Sequence, residues 1–215
     1  MNPVLILFAH PALEKSRVNI AMLSEVRDLP GVTVHDLYEA YPNLIIDVKR
    51  EQALLAKHQV VILQHPFYWY SSPAIIKEWQ DVVLEFGYAY GKGGDALRGK
   101  LMLNAVTTGG PEEAYRPEGH NRFTMRQLLA PFDQTATLCG MVYLAPFAIH
   151  RSLMIESPEE AAPFARRYRT LVEALRDGKL DLDAARAAER INGLIPEAPA
   201  ERPAAARGAP QDGKS

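Results

Sequence analysis

Val4–Asn19 reads VLILFAHPALEKSRVN. It opens on a short run that is apolar at every position, breaks at His10-Pro11, and enters a segment with apolar residues at Val18, Met22 and Val26. The first part suits a strand covered on both faces, and the four-residue step suits one face of a helix. Two more runs repeat the first part. Val60–Leu63 ends at Gln64-His65-Pro66, and Leu101–Val106 ends at Thr107-Thr108-Gly109-Gly110. Val32–Leu37 is half polar, as a peripheral strand would be, and Val142–Leu144 with Ala145-Pro146 reads as the last strand. Helices are expected over Ser16–Asp28, Lys49–His58, Pro73–Phe86, from Phe123 to Phe132 or beyond, and over Pro158–Arg176. Strict alternation of strand and helix predicts an α/β doubly wound parallel sheet, five strands in the order 2-1-3-4-5, with helices on both faces.

Composition narrows the function classes. The 215 residues carry a net charge of −2, so no basic field draws the chain to nucleic acid. The one cysteine, Cys139, lies in an apolar run and reads as a buried core thiol. The apolar start is short and lacks a basic flank, so it is a strand and not a signal peptide, and no run approaches a membrane span. A cytoplasmic protein is expected, peripheral to the cell membrane only through a partner. Residues 1–195 form the expected folded domain. Residues 196–215 hold four prolines, six alanines and no larger aliphatic residue, and they read as a disordered tail. The histidines are scattered, at 10, 35, 58, 65, 120 and 150, and no metal-ligand spacing is present.

In an open parallel sheet, ligands bind beyond the carboxyl ends of the strands where strand order reverses. Three loops occupy that place. The first, His10–Asn19, lets Ser16 cap a helix whose first N–H groups can hold a phosphate, with His10 as a further donor. Its plain alternative is a capped helix beside a loop histidine. The second, His65–Pro73, contains the aromatic run Phe67-Tyr68-Trp69-Tyr70, suited to a planar ring or else to a dimer interface or a core plug. The third, Thr107–Asn121, has two glycines that permit close backbone approach, then Tyr115 and His120 as candidate proton donors; its alternative is a mobile surface loop. A phosphate site, an aromatic clamp and a glycine turn suit flavin mononucleotide (FMN) ahead of FAD. There is no G-x-G-x-x-G, no P-loop and no nucleophile elbow.

At these loops the sequence resembles the flavodoxin-like NAD(P)H:quinone oxidoreductases. Within them it is most similar to the ancillary proteins of glutathione-regulated potassium-efflux systems, the KefF and KefG type. The resemblance runs from about residue 3 to about residue 176. It is carried by Ala9-His10-Pro11, Ser16–Asn19, Tyr41-Pro42, Gln64–Ser71, Lys77-Glu78-Trp79, Tyr88–Gly91 with Gly93, Gly94 and Leu97, and Thr107–Gly110. It implies that His10, Ser16, Arg17, Val18 and Asn19 hold the flavin phosphate and ribityl chain. Phe67, Tyr68, Trp69 and Tyr70 would meet the isoalloxazine, and Thr107, Thr108, Gly109 and Gly110 its other edge. Tyr115 and His120 would assist hydride transfer, in a loop about one residue shorter than the family's. One subgroup of the family has degraded flavin motifs. Val34–Tyr38, Arg50–Leu55, Tyr115-Arg116 and Asn121-Arg122 resemble that KefG-like subgroup, while Trp69 and the complete T-T-G-G are what flavin-binding members keep.

Two functions follow. As an enzyme, a homodimer would take hydride from NAD(P)H and pass it to a quinone or other electrophile in the same pocket, by ping-pong kinetics. As a regulatory subunit with little turnover, it would dock on a membrane potassium/proton antiporter.

Overall fold

The computed structural model describes residues 1–196. The chain runs through β1 (Val4–Phe8), α1 (Arg17–Val26), β2 (Val32–Asp36), α2 (Leu37–Ala40), α3 (Val48–Lys57), β3 (Val60–Pro66) and α4 (Ala74–Val83). It continues through β4 (Leu101–Thr107), α5 (Met125–Leu128), α6 (Ala130–Leu138), β5 (Val142–Tyr143), β6 (Phe147–Ile149), α7 (Pro158–Asp177) and α8 (Leu182–Ala187). All pairs are parallel, in the order β2-β1-β3-β4-β5, and β6 also pairs with β4. The expected doubly wound sheet is present.

Why the central runs are apolar throughout is visible in β1. Val4, Ile6 and Phe8 face one core, with α1 and α7; Leu5, Leu7 and Ala9 face the other, with Trp79 of α4 and Phe132 of α6. Side chains alternate across a strand, so a strand covered on both sides needs apolar residues at both parities. A buried polar knot sits in the second core. The Glu51 carboxylate accepts from Tyr41 Oη at 2.6 Å, His35 Nε2 at 2.8 Å and Trp79 Nε1 at 2.8 Å. Burial alone would push this carboxyl up, but the three donors together hold it below its ordinary value. The knot joins the two stretches, around His35 and around Glu51, that carry the KefG-like resemblance.

Three expectations are corrected in detail. The helix expected from Phe123 is two. Pro131 has no N–H to give the carbonyl four residues back, so α5 stops at Leu128 and α6 restarts at Ala130. The helix expected to reach Phe86 stops at Val83. The last strand is longer than Val142–Leu144 and is split. Its pairing with β4 slips by one residue between Met102↔Tyr143 and Ala105↔Phe147. Leu144–Pro146 is therefore a bulge, as a proline inside a strand requires. The bulge bonds elsewhere: Ala145 N donates to Ala185 O, and Ile191 N to Pro146 O. Cys139 is buried as expected, and burial raises its thiol pKa. The tail beyond Pro196 lies outside the described residues. Among the described residues, no helix is long and apolar enough to cross a membrane.

Candidate active site

The three candidate loops meet at the carboxyl ends of β1, β3 and β4. At the first, Ser16 caps α1: its Oγ accepts from Asn19 N at 3.3 Å and from Asn19 Nδ2 at 3.0 Å. The first-turn N–H groups of Arg17 and Val18 have no acceptor within the helix, and they face outward at the positive end of its dipole. The Val18 side chain is in the core, so only its backbone can serve a ligand. His10 Nδ1 accepts from Ala12 N at 3.1 Å, which puts the ring hydrogen on Nε2. Burial lowers the His10 pKa, against the pull of Glu14 and Asp36, so the ring donates as a neutral group. Lys15 and Arg17 add positive charge at the rim. Together these residues line one end of a cleft of about 450 Å³ whose other walls include Phe67, Tyr68, Thr107 and Leu153.

Beneath the cleft, Asn19 is fully buried and fully engaged. Its Nδ2 also donates to Thr107 Oγ1 at 3.0 Å, and its Oδ1 accepts from Gln64 Nε2 at 3.2 Å. The Asn19 side chain thus ties all three loops together from below. Gln64, at the end of an apolar run, is a residue the sequence reading passed over as a ligand-loop support. Its polarity within a strand buried on both faces was the available signal.

The end of the cleft at the aromatic run is built differently. Phe67 N donates to Thr107 O at 2.8 Å, and Ser71 N to Tyr68 O at 3.0 Å, closing a turn. The two central residues of that turn, Trp69 and Tyr70, have φ of 51° and 63°. This left-handed pair is the usual place of Asn-Gly, and each non-glycine residue there costs on the order of 1 kcal/mol. The turn raises Trp69 to 93% exposure. A second cleft of about 440 Å³ opens here, lined by Phe67, Trp69, Tyr70, Tyr115 and His120 among others. The two clefts meet at Phe67.

Below this loop His65 is fully buried. Its Nδ1 donates to Pro66 O at 3.0 Å, and its Nε2 accepts from Asn104 Nδ2 at 3.0 Å. Asn104 in turn accepts from Tyr143 Oη at 2.7 Å. Burial brings the His65 pKa down to about 4.

Thr107 and Thr108 are buried, and Thr108 Oγ1 donates to Gly110 O at 2.9 Å. The glycines here make room for protein as well. A Cβ on Gly109 would come within 2.8 Å of Leu153, and one on Gly110 within 3.3 Å of Tyr115 Oη. Tyr115 packs edge-on to Phe67 at 6.0 Å between centroids. His120 shares the ring cleft with Tyr115 but is exposed. The histidine packed against Tyr115 is His150, at 5.3 Å, which the sequence reading did not single out.

Comparison with known proteins bears on the fold. A family model described as the flavodoxin-like fold matches residues 2–172. The glutathione-regulated potassium-efflux system ancillary protein KefG of Pectobacterium carotovorum is 46% identical over 165 residues, 77% of this chain and 90% of that one. Among solved structures, general stress protein 14 of Treponema denticola, in complex with FMN, superposes with a TM-score of 0.76 at 38% identity, covering 80% of this chain and 98% of that one. An NADPH-quinone reductase from P. pentosaceus gives a TM-score of 0.71 at 32% identity, covering 80% and 97%. A family match across most of the chain, together with these relatives, means that the chain belongs to the flavodoxin-like fold family.

Proposed function

We propose that the chain binds FMN across the two joined clefts and works as an NAD(P)H:quinone oxidoreductase. The observation that carries this reading is the continuity of a cationic, dipole-headed anion site with an aromatic cleft through Phe67. His10, Ser16, Lys15, Arg17 and the first N–H groups of α1 would hold the phosphate. Phe67, Tyr68, Trp69 and Tyr70 would flank the ring, with the Thr107–Gly110 backbone at its edge. FMN, with its one phosphate, matches the single anion site at the start of α1 better than the diphosphate of FAD would. Bound FMN supplies a two-electron carrier, reducible by NAD(P)H and oxidisable by a quinone. Tyr115 and His120 flank the space where either partner lies, and a single such space makes the two visits sequential, hence ping-pong kinetics. The exposed Trp69 and Tyr70 beside the cleft suit a homodimer contact. The working site is the cytoplasm.

The test is direct. The protein should take up added FMN with a change in flavin absorbance, and should then oxidise NAD(P)H when a quinone is supplied. A colourless protein that takes up no FMN would refute the reading. A second reading is favoured by the KefG relatives: the chain serves mainly as an ancillary subunit of a potassium/proton antiporter. Potassium efflux with and without this protein, and with a Trp69→Ala variant, separates the two. Efflux that depends on the protein but not on Trp69 favours the subunit.

A further inference from the structure

Residues 182–195 lie beyond residues 2–172, the part of the chain that the family model matches. They are nevertheless built into the fold. Ala185 and Ile191 are fully buried, and Ile195 is nearly so. The segment also covers the sheet where it would otherwise end. β6 pairs with β4 alone, and an edge strand leaves its outer N–H and C=O groups unpaired. Here the Asn192 side chain takes the place of a neighbouring strand. Its Oδ1 accepts from Ala148 N and its Nδ2 donates to Ala148 O, both at 3.0 Å. Arg126 of α5 donates to Arg186 O and Ala188 O, and Arg167 of α7 donates to Asn192 O at 3.0 Å.

So anchored, the segment presents Arg190 to the loop that walls the ring cleft. Arg190 Nη2 donates to Glu112 Oε1 at 2.7 Å. Arg116 is farther from the same oxygen, at 3.8 Å, and Arg151 pairs instead with Glu113. Glu112 opens the single turn Glu112–Ala114, which ends where Tyr115 N donates to Glu112 O at 3.0 Å. Asn121 N donates to Ala114 O at 2.9 Å and closes the loop. Tyr115, His120 and Asn121 of this loop line the ring cleft. Among the described residues, Arg190–Glu112 is the only hydrogen bond or ion pair between segment and loop. Beside it a polar cavity of about 210 Å³ is lined by Tyr115 and Arg116 of the loop and by Glu189 and Arg190 of the segment. Both partners of the pair are partly exposed, and such a pair is worth up to about fivefold in an equilibrium. That is too little to fold the segment, which its buried residues do, and enough to choose between two positions of a short loop.

We propose that residues 182–195 are a fixed arm that sets the position of the Tyr115 wall of the ring cleft, and that Arg190 is a positioning residue acting through Glu112. The inference rests on the oxidoreductase reading above for the substrates that the wall meets; the position of the loop itself does not depend on flavin. With the pair made, the loop is tied to the sheet edge and the Tyr115 ring stays against Phe67. With the pair broken, the loop keeps its own backbone bonds but loses that tie. Either substrate then has to bring the wall back, which weakens its apparent affinity by the fraction of loops in place. The phosphate end, ordered by Asn19, is untouched.

The test compares Arg190→Glu and Arg190→Lys with the unsubstituted full chain. Reversal repels Glu112 even where Arg116 takes over as its partner. In the FMN-loaded protein, Arg190→Glu should raise KM for a quinone and for NAD(P)H about fivefold, with kcat and FMN affinity within about a factor of two, and Arg190→Lys should recover most of the loss. In the flavin-free protein, hydrogen exchange of the Tyr115 and Asn121 amides should quicken about fivefold in Arg190→Glu while the amides of β1 and β3 hold. About 1 M salt should quicken the same two amides in the unsubstituted protein. That measurement needs no variant and decides the matter if Arg190→Glu fails to fold: exchange there that ignores salt would overturn the arm. Exchange unchanged at Tyr115 and Asn121 in a folded Arg190→Glu would overturn it too, as would exchange quickened throughout the sheet. No turnover with any acceptor, beside a local change in exchange, would instead sink the oxidoreductase reading and leave the arm in place.

Discussion

The two ends of the cleft are held in place by opposite means. At the phosphate end, the groups that would meet an anion are fixed before anything binds. Ser16, Thr107 and Gln64 converge on the buried Asn19, and His10 is locked in one tautomer by Ala12. At the ring end, the contact surface is a strained turn that carries Trp69 into solvent. The first end stores its order in buried hydrogen bonds, which are costly to break singly. The second leaves large apolar faces uncovered, and only a planar ligand or another chain would cover them. A framework fixed by buried hydrogen bonds is thus paired with an aromatic surface left open to solvent.

The largest expected effect breaks the rigid end. Asn19→Ala removes the shared partner of three loops and should cost about 3 kcal/mol in urea unfolding of the flavin-free protein, since several buried groups lose partners at once. A loss under about 1 kcal/mol would mean that the junction is not what orders the loops. The next effect tests whether the ring end has a rigid footing of its own, in His65. Its native pKa of about 4 lies below the ordinary 6.5, so the unfolded chain binds the proton first as pH falls. Stability should therefore be full above about pH 6.5 and decline between 6.5 and 4, by about 3 kcal/mol from this group. A His65→Asn variant should show a flatter decline over the same interval. The smallest effect on the fold belongs to Trp69→Ala. Stability without flavin should change by no more than about 0.5 kcal/mol, while FMN affinity falls about tenfold through the lost stacking. Equal losses in both measurements would erase the contrast between the two ends.

Much of this was legible in the sequence, for physical reasons. Strands covered on both faces must be apolar at every position, so Val4–Phe8, Val60–Leu63 and Leu101–Val106 announced a parallel sheet, and its order followed from alternation with helices. The loops after those strands carried residue types with a chemical reason to be there. Side-chain commitments between loops were not legible. Asn19 and Gln64 lie far apart in sequence, and nothing local says that their amides meet. The turn at Trp69-Tyr70 escaped notice because neither residue is one that such a turn prefers. His150 escaped because its neighbour Tyr115 comes from a different loop and the strand leading to it is broken.

That break has a further consequence. Between Tyr143 and Phe147 the last strand holds one residue more than its pairing with β4 needs. Along a strand, odd and even residues look to opposite sides, so two residues four apart would share a side if the strand were unbroken. Here they do not: Tyr143 packs in the core with Trp79, whereas Phe147 and Ile149 pack toward α1 and α7 and Ala148 on the other side. The bulge absorbs the surplus and keeps Phe147 on the side of its partner Ala105. Removing Ala145 would therefore leave an unbroken ladder with Phe147 still against Tyr168, at the cost of the bond from Ala145 N to Ala185 O. Removing a residue beyond the bulge, at Ala148, would instead turn Ile149 and His150 to the opposite sides.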